Sequence, residues 1–161
     1  CISKTQEFIN ALNQHLICNH ILAQAVLPGM KKRGFGRIIN VISTSVKQPL
    51  DGLGVSNTIR GAVANWSKTL ANEVGAFGIT VNNVLPGATD TGRLQEIISN
   101  KAQKTGKTQE EIEQSMQQAV PAKRFAQPNE IANAICFLAS ETAGYINGIN
   151  LPVDGGRTKS L

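Results

Sequence analysis

The stretch Gly36-Arg-Ile-Ile-Asn-Val-Ile-Ser43 decides the fold. Ile38, Ile39, Val41 and Ile42 crowd into it without the apolar–polar alternation of a half-solvated strand, so residues 37–43 read as a short strand buried on both faces, as in a parallel sheet. Working outward, residues 7–30 place apolar side chains at helical spacing around more than one face, the pattern of a helix covered on several sides. Gly34 and Gly36 punctuate between that helix and the strand. Beyond the strand, residues 44–54 hold Pro49 and Gly52 and read as a loop at its carboxyl end, where ligands bind in α/β sheets. A second helix spans 56–74, with Val63, Trp66, Leu70 and Val74 on one stripe and Gly75 and Gly78 closing it. Residues 79–85 form the next buried strand, broken by Pro86-Gly87. The segment 91–125 turns polar and reads as a substrate lid or a solvated helical insertion, with Thr108-Gln-Glu-Glu111 a capping box for a short helix. Pro128 opens a helix carrying Ile131, Ile135 and Leu138, and residues 145–153 read as a last strand before Gly155-Gly156. The order αβαβ, lid, αβ defines an α/β fold.

Composition narrows the function classes. The 161 residues are 41% hydrophobic and 17% charged, which suits one soluble globular domain and excludes a disordered or fibrous chain. The chain opens at Cys1, with apolar residues close behind, so it is expected to begin inside a larger protein. No apolar run reaches the roughly 18 residues that span a bilayer and no signal-peptide pattern opens the chain, so a cytoplasmic location without membrane contact is expected. Cys1, Cys18 and Cys136 are odd in number and far apart, the pattern of reduced packing cysteines. His15 and His20 point about 140° apart on a helix, so no metal site is expected. The net charge of +5 concentrates in Lys31, Lys32, Arg33 and Arg37. No aromatics interleave there and cations suit a helix carboxyl end, so nucleic acid is not an expected partner.

Three motifs give the chain a family likeness: Gly36-Arg-Ile-Ile-Asn-Val-Ile-Ser43; Ile79-Thr-Val-Asn-Asn-Val-Leu-Pro-Gly87 followed by Thr91; and the ending from Gly148 through Leu151, Val153 and Asp154 to Gly155-Gly156. Together they resemble the short-chain dehydrogenase/reductase family, most closely its 3-oxoacyl-[acyl-carrier-protein] reductase-like members. The resemblance covers essentially the whole chain and implies a Rossmann-like doubly wound parallel sheet. Residues 1–161 would form its C-terminal part, a single partial domain. The family begins with a strand and a glycine-rich turn for the cofactor pyrophosphate. Here Gly34-Phe-Gly36 precedes a strand instead of following one. The N-terminal nucleotide-binding half, roughly 100 residues, would therefore be absent, which leaves the strand beginning at Arg37 at an edge of the sheet.

The same resemblance implies a catalytic serine, a tyrosine 13 residues later, a lysine four beyond it and an asparagine on the preceding helix. Ser43 fits the serine. Ser56 stands at the tyrosine position, Arg60 at the lysine and His15 at the asparagine. An aliphatic hydroxyl is a far weaker acid than a phenol. Arg60 can hold ribose hydroxyls, but its guanidinium stays protonated and relays protons poorly. His15 exchanges protons near neutrality and is a candidate acid, against the alternative of a structural helix histidine. Ser43 either orients a substrate carbonyl or caps the chain at the strand end. Tyr145 has a packing role as its plainer reading. Pro86, Gly87, Thr89 and Thr91 would meet the nicotinamide by resemblance, where a tight turn and helix start are the alternative.

Two functions follow. One is an oxidoreductase in which the full-length parent transfers hydride between NAD or NADP and a small carbonyl or alcohol substrate. The other is a catalytically inactive relative that binds nucleotide or protein on the same scaffold. The helices 7–30 and 56–74 resemble the pair through which family members associate, so a homodimer or homotetramer is expected.

Overall fold

The computed structural model describes residues 3–160. The reading of Cys1 as a packing residue lies outside them. The elements are α1 (Thr5–Leu12), α2 (Cys18–Arg33), β1 (Gly36–Val41), α3 (Gly54–Val74), β2 (Ile79–Pro86), α4 (Gly92–Thr105), α5 (Gln109–Gln118), α6 (Pro128–Ala139) and β3 (Asn150–Val153). The strands form one parallel sheet in the order β1-β2-β3, with Ile38 opposite Val81 and Val84 opposite Leu151. Parallel neighbours need a crossover connection, and α3 and α6 lie in the two connections between these strands.

Side-chain parity along β2 assigns the two layers. Ile79, Val81 and Leu85 pack with Val63, Leu70, Ala71 and Val74 of α3, whereas Val84 packs with Ile131 and Leu138 of α6. A sheet covered on both faces explains why seven successive residues of β2 are buried. Gly78 makes the entry to β2 possible: its φ is +69°, and a Cβ there would strike the Gly34 carbonyl.

Several expectations are corrected. The strand predicted over 37–43 is not buried throughout: Ile38 and Ile39 are partly exposed and Val41 is 49% exposed, because β1 is an edge strand among the described residues. The helix predicted over 7–30 is one continuous run through α1, a five-residue π-turn (Asn13–Ile17) and α2. It is not covered on several sides, since only Ala23 is buried while Ile21 and Leu22 are 58% and 59% exposed. Cys18 and Cys136 are exposed thiols, not packing residues. The last strand occupies Asn150–Val153 alone, and Tyr145 points fully into solvent, which removes its packing role. Residues 91–125 hold two helices, not one short one, and carry their own core of Leu94, Ile98, Ala102, Ile112 and Phe125.

The expected helix-end chemistry holds. Lys31, Lys32 and Arg33 occupy the last turn of α2, where they complement the helix dipole. Arg37 leaves that cluster: it donates to the carbonyls of Gly36, Gly78 and Ser140 and stacks over Phe35. The Thr108–Glu111 capping box forms in both directions, at 3.2 and 2.9 Å. Pro128 starts α6 at its first turn. No helix among the described residues is long and apolar enough to cross a membrane, and no group of His, Cys, Asp and Glu among them could hold a metal ion.

Candidate active site

Two elements converge on one cavity. The first is the π-turn: Asn13–Ile17 inserts one residue into the helical register, and His15 sits at its centre. Such turns re-aim side chains and recur at functional sites. The second is the start of α3, whose first turns carry Ser56 and, one turn on, Arg60. Between them lies an open cavity of about 260 Å³, lined among others by Ala11, His15, Gly54, Ser56, Ile59 and Arg60.

The electrostatics of this cavity are one-sided. Partial burial, and then the nearby Arg60 charge, hold the His15 pKa below its ordinary value, so the imidazole is neutral at pH 7. Burial also depresses Arg60, yet a guanidinium stays charged under physiological conditions. No carboxylate lines the cavity. His15, Ser56 and Arg60 make no side-chain hydrogen bond and no ion pair among the described residues. All three line the cavity.

Ser43 follows β1 but does not line this cavity. Its Oγ accepts from the Ser45 amide at 3.1 Å and so starts a 3-10 turn over Thr44–Val46. The capping alternative is thus realised, while Ser43 remains partly exposed and its hydroxyl proton stays available. Nearby, Ser45 Oγ and Asn57 Oδ1 are buried without a hydrogen-bond partner among the described residues, which is uncommon for native polar groups.

The loop after β2 is a separate arm. Pro86 ends the strand, and Gly87 lets the chain pass Asp154: a Cβ there would stand 2.8 Å from the Asp154 Cα. Thr89 donates to the Gly87 carbonyl at 3.1 Å, and Asp90 N donates to Ala126 O at 2.8 Å. Thr91 is the N-cap residue of α4, but its side chain caps no amide and instead donates to the Thr89 carbonyl at 3.3 Å. Thr91 is exposed and its hydroxyl can still accept from a ligand. The structure thus groups His15, Ser56 and Arg60 in one cavity, with Ser43 and the 86–91 loop outside its lining. The sequence reading missed the π-turn, which no residue type signals.

Known proteins match the sequence and fold along nearly the whole chain. Residues 3–158 match the family model described as enoyl-(acyl carrier protein) reductase. The 3-oxoacyl-[acyl-carrier-protein] reductase FabG of Haemophilus influenzae is 38% identical over 155 residues, which cover 95% of this chain and 59% of that protein. Among solved structures, YwfH, an NADPH-dependent reductase involved in bacilysin biosynthesis, superposes with a TM-score of 0.93 at 28% identity over 99% of this chain and 61% of its own. The L-sorbose reductase of Gluconobacter frateurii, complexed with NADPH and L-sorbose, gives a TM-score of 0.92 at 34% identity with the same coverage. The chain spans about three-fifths of the length of these relatives. With the parallel sheet, the motif-bearing strands and the matched family model in agreement, this chain belongs to the enoyl-(acyl carrier protein) reductase family of short-chain dehydrogenase/reductases.

Proposed function

We propose that the full-length protein is an NAD(P)-dependent oxidoreductase acting on a small carbonyl or alcohol substrate, and that this chain supplies its catalytic side. The observation that carries this reading is the convergence of three unpaired donors, on His15, Ser56 and Arg60, at one cavity. The solved L-sorbose reductase, with its NADPH and L-sorbose, supports both the cofactor class and the substrate class. A nicotinamide, when bound, supplies or accepts the hydride.

The residues present fit such a group. Arg60 has a partly buried guanidinium with free donors, suited to ribose hydroxyls. The Pro86–Gly87 segment, the partly exposed Thr89 and the exposed Thr91 would offer backbone and hydroxyl groups to a carboxamide. Ser43 would orient the substrate oxygen by donating its hydroxyl hydrogen while its lone pair holds the Ser45 amide. His15 would give up or take the proton, because Ser56 is too weak an acid and Arg60 does not deprotonate. The helical pair α4–α5 would form a lid: its core packs against Ala88 of the 86–91 loop.

The exposed row Ile17, Ile21, Leu22 and Val26 supports a homodimer or homotetramer built on the α1–α2 helix. A second reading, an inactive relative that binds nucleotide or protein, is favoured by the absence of any tyrosine near the cavity. Following NADPH oxidation with a panel of small ketones and aldehydes separates the two. Turnover that falls on the order of 10²-fold in Ser43→Ala supports the enzyme; cofactor binding without turnover on any carbonyl supports the inactive relative.

A further inference from the structure

The loop proposed to meet the carboxamide is steered by one residue from another part of the chain. Pro86 ends β2, and Gly87 N still reaches β3 through the Val153 carbonyl at 3.0 Å. Beyond it the chain leaves β3 and pairs with Ala126 instead. Ala126 N donates to Ala88 O at 2.9 Å, Asp90 N donates to Ala126 O at 2.8 Å, and Thr89 stands opposite Ala126 as an isolated parallel bridge. The hydroxyls of Thr89 and Thr91 bond within the loop, to the carbonyls of Gly87 and Thr89. The path of 88–90 therefore follows the position of Ala126.

Ala126 is in turn gripped on both sides by one carboxylate. Glu130, in the first turn of α6, accepts from Arg124 Nη1 on Oε2 and from Arg124 Nη2 on Oε1, each at 2.6 Å, and from the Gln127 amide at 2.8 Å. It so ties down the chain just before Ala126 and just after it. Arg124 Nη1 also donates to the Phe125 carbonyl at 3.1 Å. Lys123, with a φ of +56°, turns the chain into this stretch through a conformation that a residue with a side chain disfavours. Side chains mark the same place as a seam: Phe125 is buried with Leu94 and Ile112 in the core of α4–α5, whereas Ala126 packs on Val84, Ile131 and Leu138 between α6 and the sheet.

Exposed ion pairs as a class contribute little, and Arg93–Glu96 on α4 is of that kind, a single contact at 2.9 Å between residues one turn apart. Arg124–Glu130 differs in geometry. Its two parallel bonds fix the planes of both groups, and a backbone amide shares the carboxylate. The Arg124 hydrogen bonds first, then the Gln127 amide, pull the Glu130 carboxyl down to about 2, so the fork stays charged around neutrality.

We infer that Arg124 and Glu130 are positioning residues for the cofactor-facing loop: their fork fixes Ala126, and Ala126 sets where the backbone of 88–90 presents its groups. The inference rests on the oxidoreductase reading, in which 86–91 meets a nicotinamide. Neither side chain need touch cofactor or substrate, since both act through Ala126. A plain helix cap at the start of α6 would use the bond from Gln127 to Glu130 alone and would leave 88–90 indifferent to Arg124.

Amide hydrogen exchange and cofactor titration on the full-length protein test this together. The variants are Arg124→Gln, Glu130→Gln, their double and Arg124→Lys, with Arg93→Gln as a control that breaks an exposed ion pair outside the relay. Without cofactor, the amides of Asp90 and Ala126 should exchange on the order of tenfold faster in Arg124→Gln and in Glu130→Gln, with the amides of β2 unchanged. NADPH affinity by calorimetry should fall on the order of threefold to tenfold in the same two variants. It should fall no further in the double, where the fork is lost only once, and less in Arg124→Lys, which keeps the charge without the fork. Arg93→Gln should change neither quantity. Faster exchange with NADPH affinity unaltered would leave Arg124 and Glu130 as a helix cap and overturn the inference, as would an Asp90 amide that ignores the loss of the fork. Both results leave the oxidoreductase reading standing; an unaltered protein that binds no NADPH removes that reading and the inference with it.

Discussion

In the proposed reading His15 moves the proton, and its setting fixes a sign. Burial and the neighbouring Arg60 depress its pKa, so the folded protein resists protonating it while the unfolded chain does not. The stability His15 contributes is therefore complete above the ordinary histidine value, near 6.5, and is lost as pH falls from there through the lower value of the folded state. We expect thermal melting of the full-length protein to drop between pH 7.5 and 5.5, and His15→Asn to reduce that drop. The reductase rate should likewise follow a group titrating below the ordinary histidine range, and the same variant should remove that dependence. An unchanged pH profile in His15→Asn would leave the imidazole as a structural helix residue.

Among the elements, the central feature is an amide ladder that ties the helices to the sheet. Asn40 of β1 and Asn83 of β2 are register partners, as are Asn83 and Asn150 of β3. Asn40 Nδ2 donates to Asn83 Oδ1 at 3.1 Å, and Asn83 Nδ2 donates to Asn150 Oδ1 at 2.8 Å. Asn19 of α2 donates to Asn40 Oδ1 at 3.1 Å, and Ser67 of α3 donates to Asn83 Oδ1 at 2.9 Å. Asn19 lies one turn beyond His15, and Ser67 about two turns beyond Arg60, so the ladder fixes how the two cavity walls face each other. Asn83→Ala would strand several of these partners in a buried layer, at an expected loss of about 2–4 kcal/mol in chemical denaturation. A loss within experimental error would mean that the ladder stabilises nothing.

The same elements show what was legible in the sequence. The consecutive apolar residues of β2 announced a strand covered twice, because burial on both faces leaves no polar alternation. Thr108 with Glu111 and Pro128 marked helix starts whose local chemistry is complete in a few residues. Apolar spacing in α1–α2 gave the helix but not its surroundings, since periodicity reports a face that seeks cover and not whether this chain provides it. The additional helix of the 91–125 segment, α4, was hidden by its polar residues, although Leu94, Ile98 and Ala102 recur at four-residue spacing. His15, Ser56 and Arg60 became visible only through family resemblance, and their shared cavity only in three dimensions.

For the whole molecule, the uncovered face of α1–α2 and the incomplete span relative to its relatives set the context in which the cavity works. Ile21 and Leu22 are more than half exposed on a helix whose opposite side holds the sheet contact at Ala23. If this face joins copies of the full-length protein, Ile21→Asp should lower the mass found by light scattering at micromolar concentration, because a charge there would be buried unpaired. A mass equal to that of the unaltered protein would place the interface elsewhere. Calorimetric titration of NADPH into the full-length protein and into Arg60→Ala decides whether this chain lends Arg60 to a nicotinamide site. Affinity on the order of tenfold weaker or worse is expected in Arg60→Ala, from the loss of charge-assisted hydrogen bonds. Equal affinity in the two proteins would contradict it.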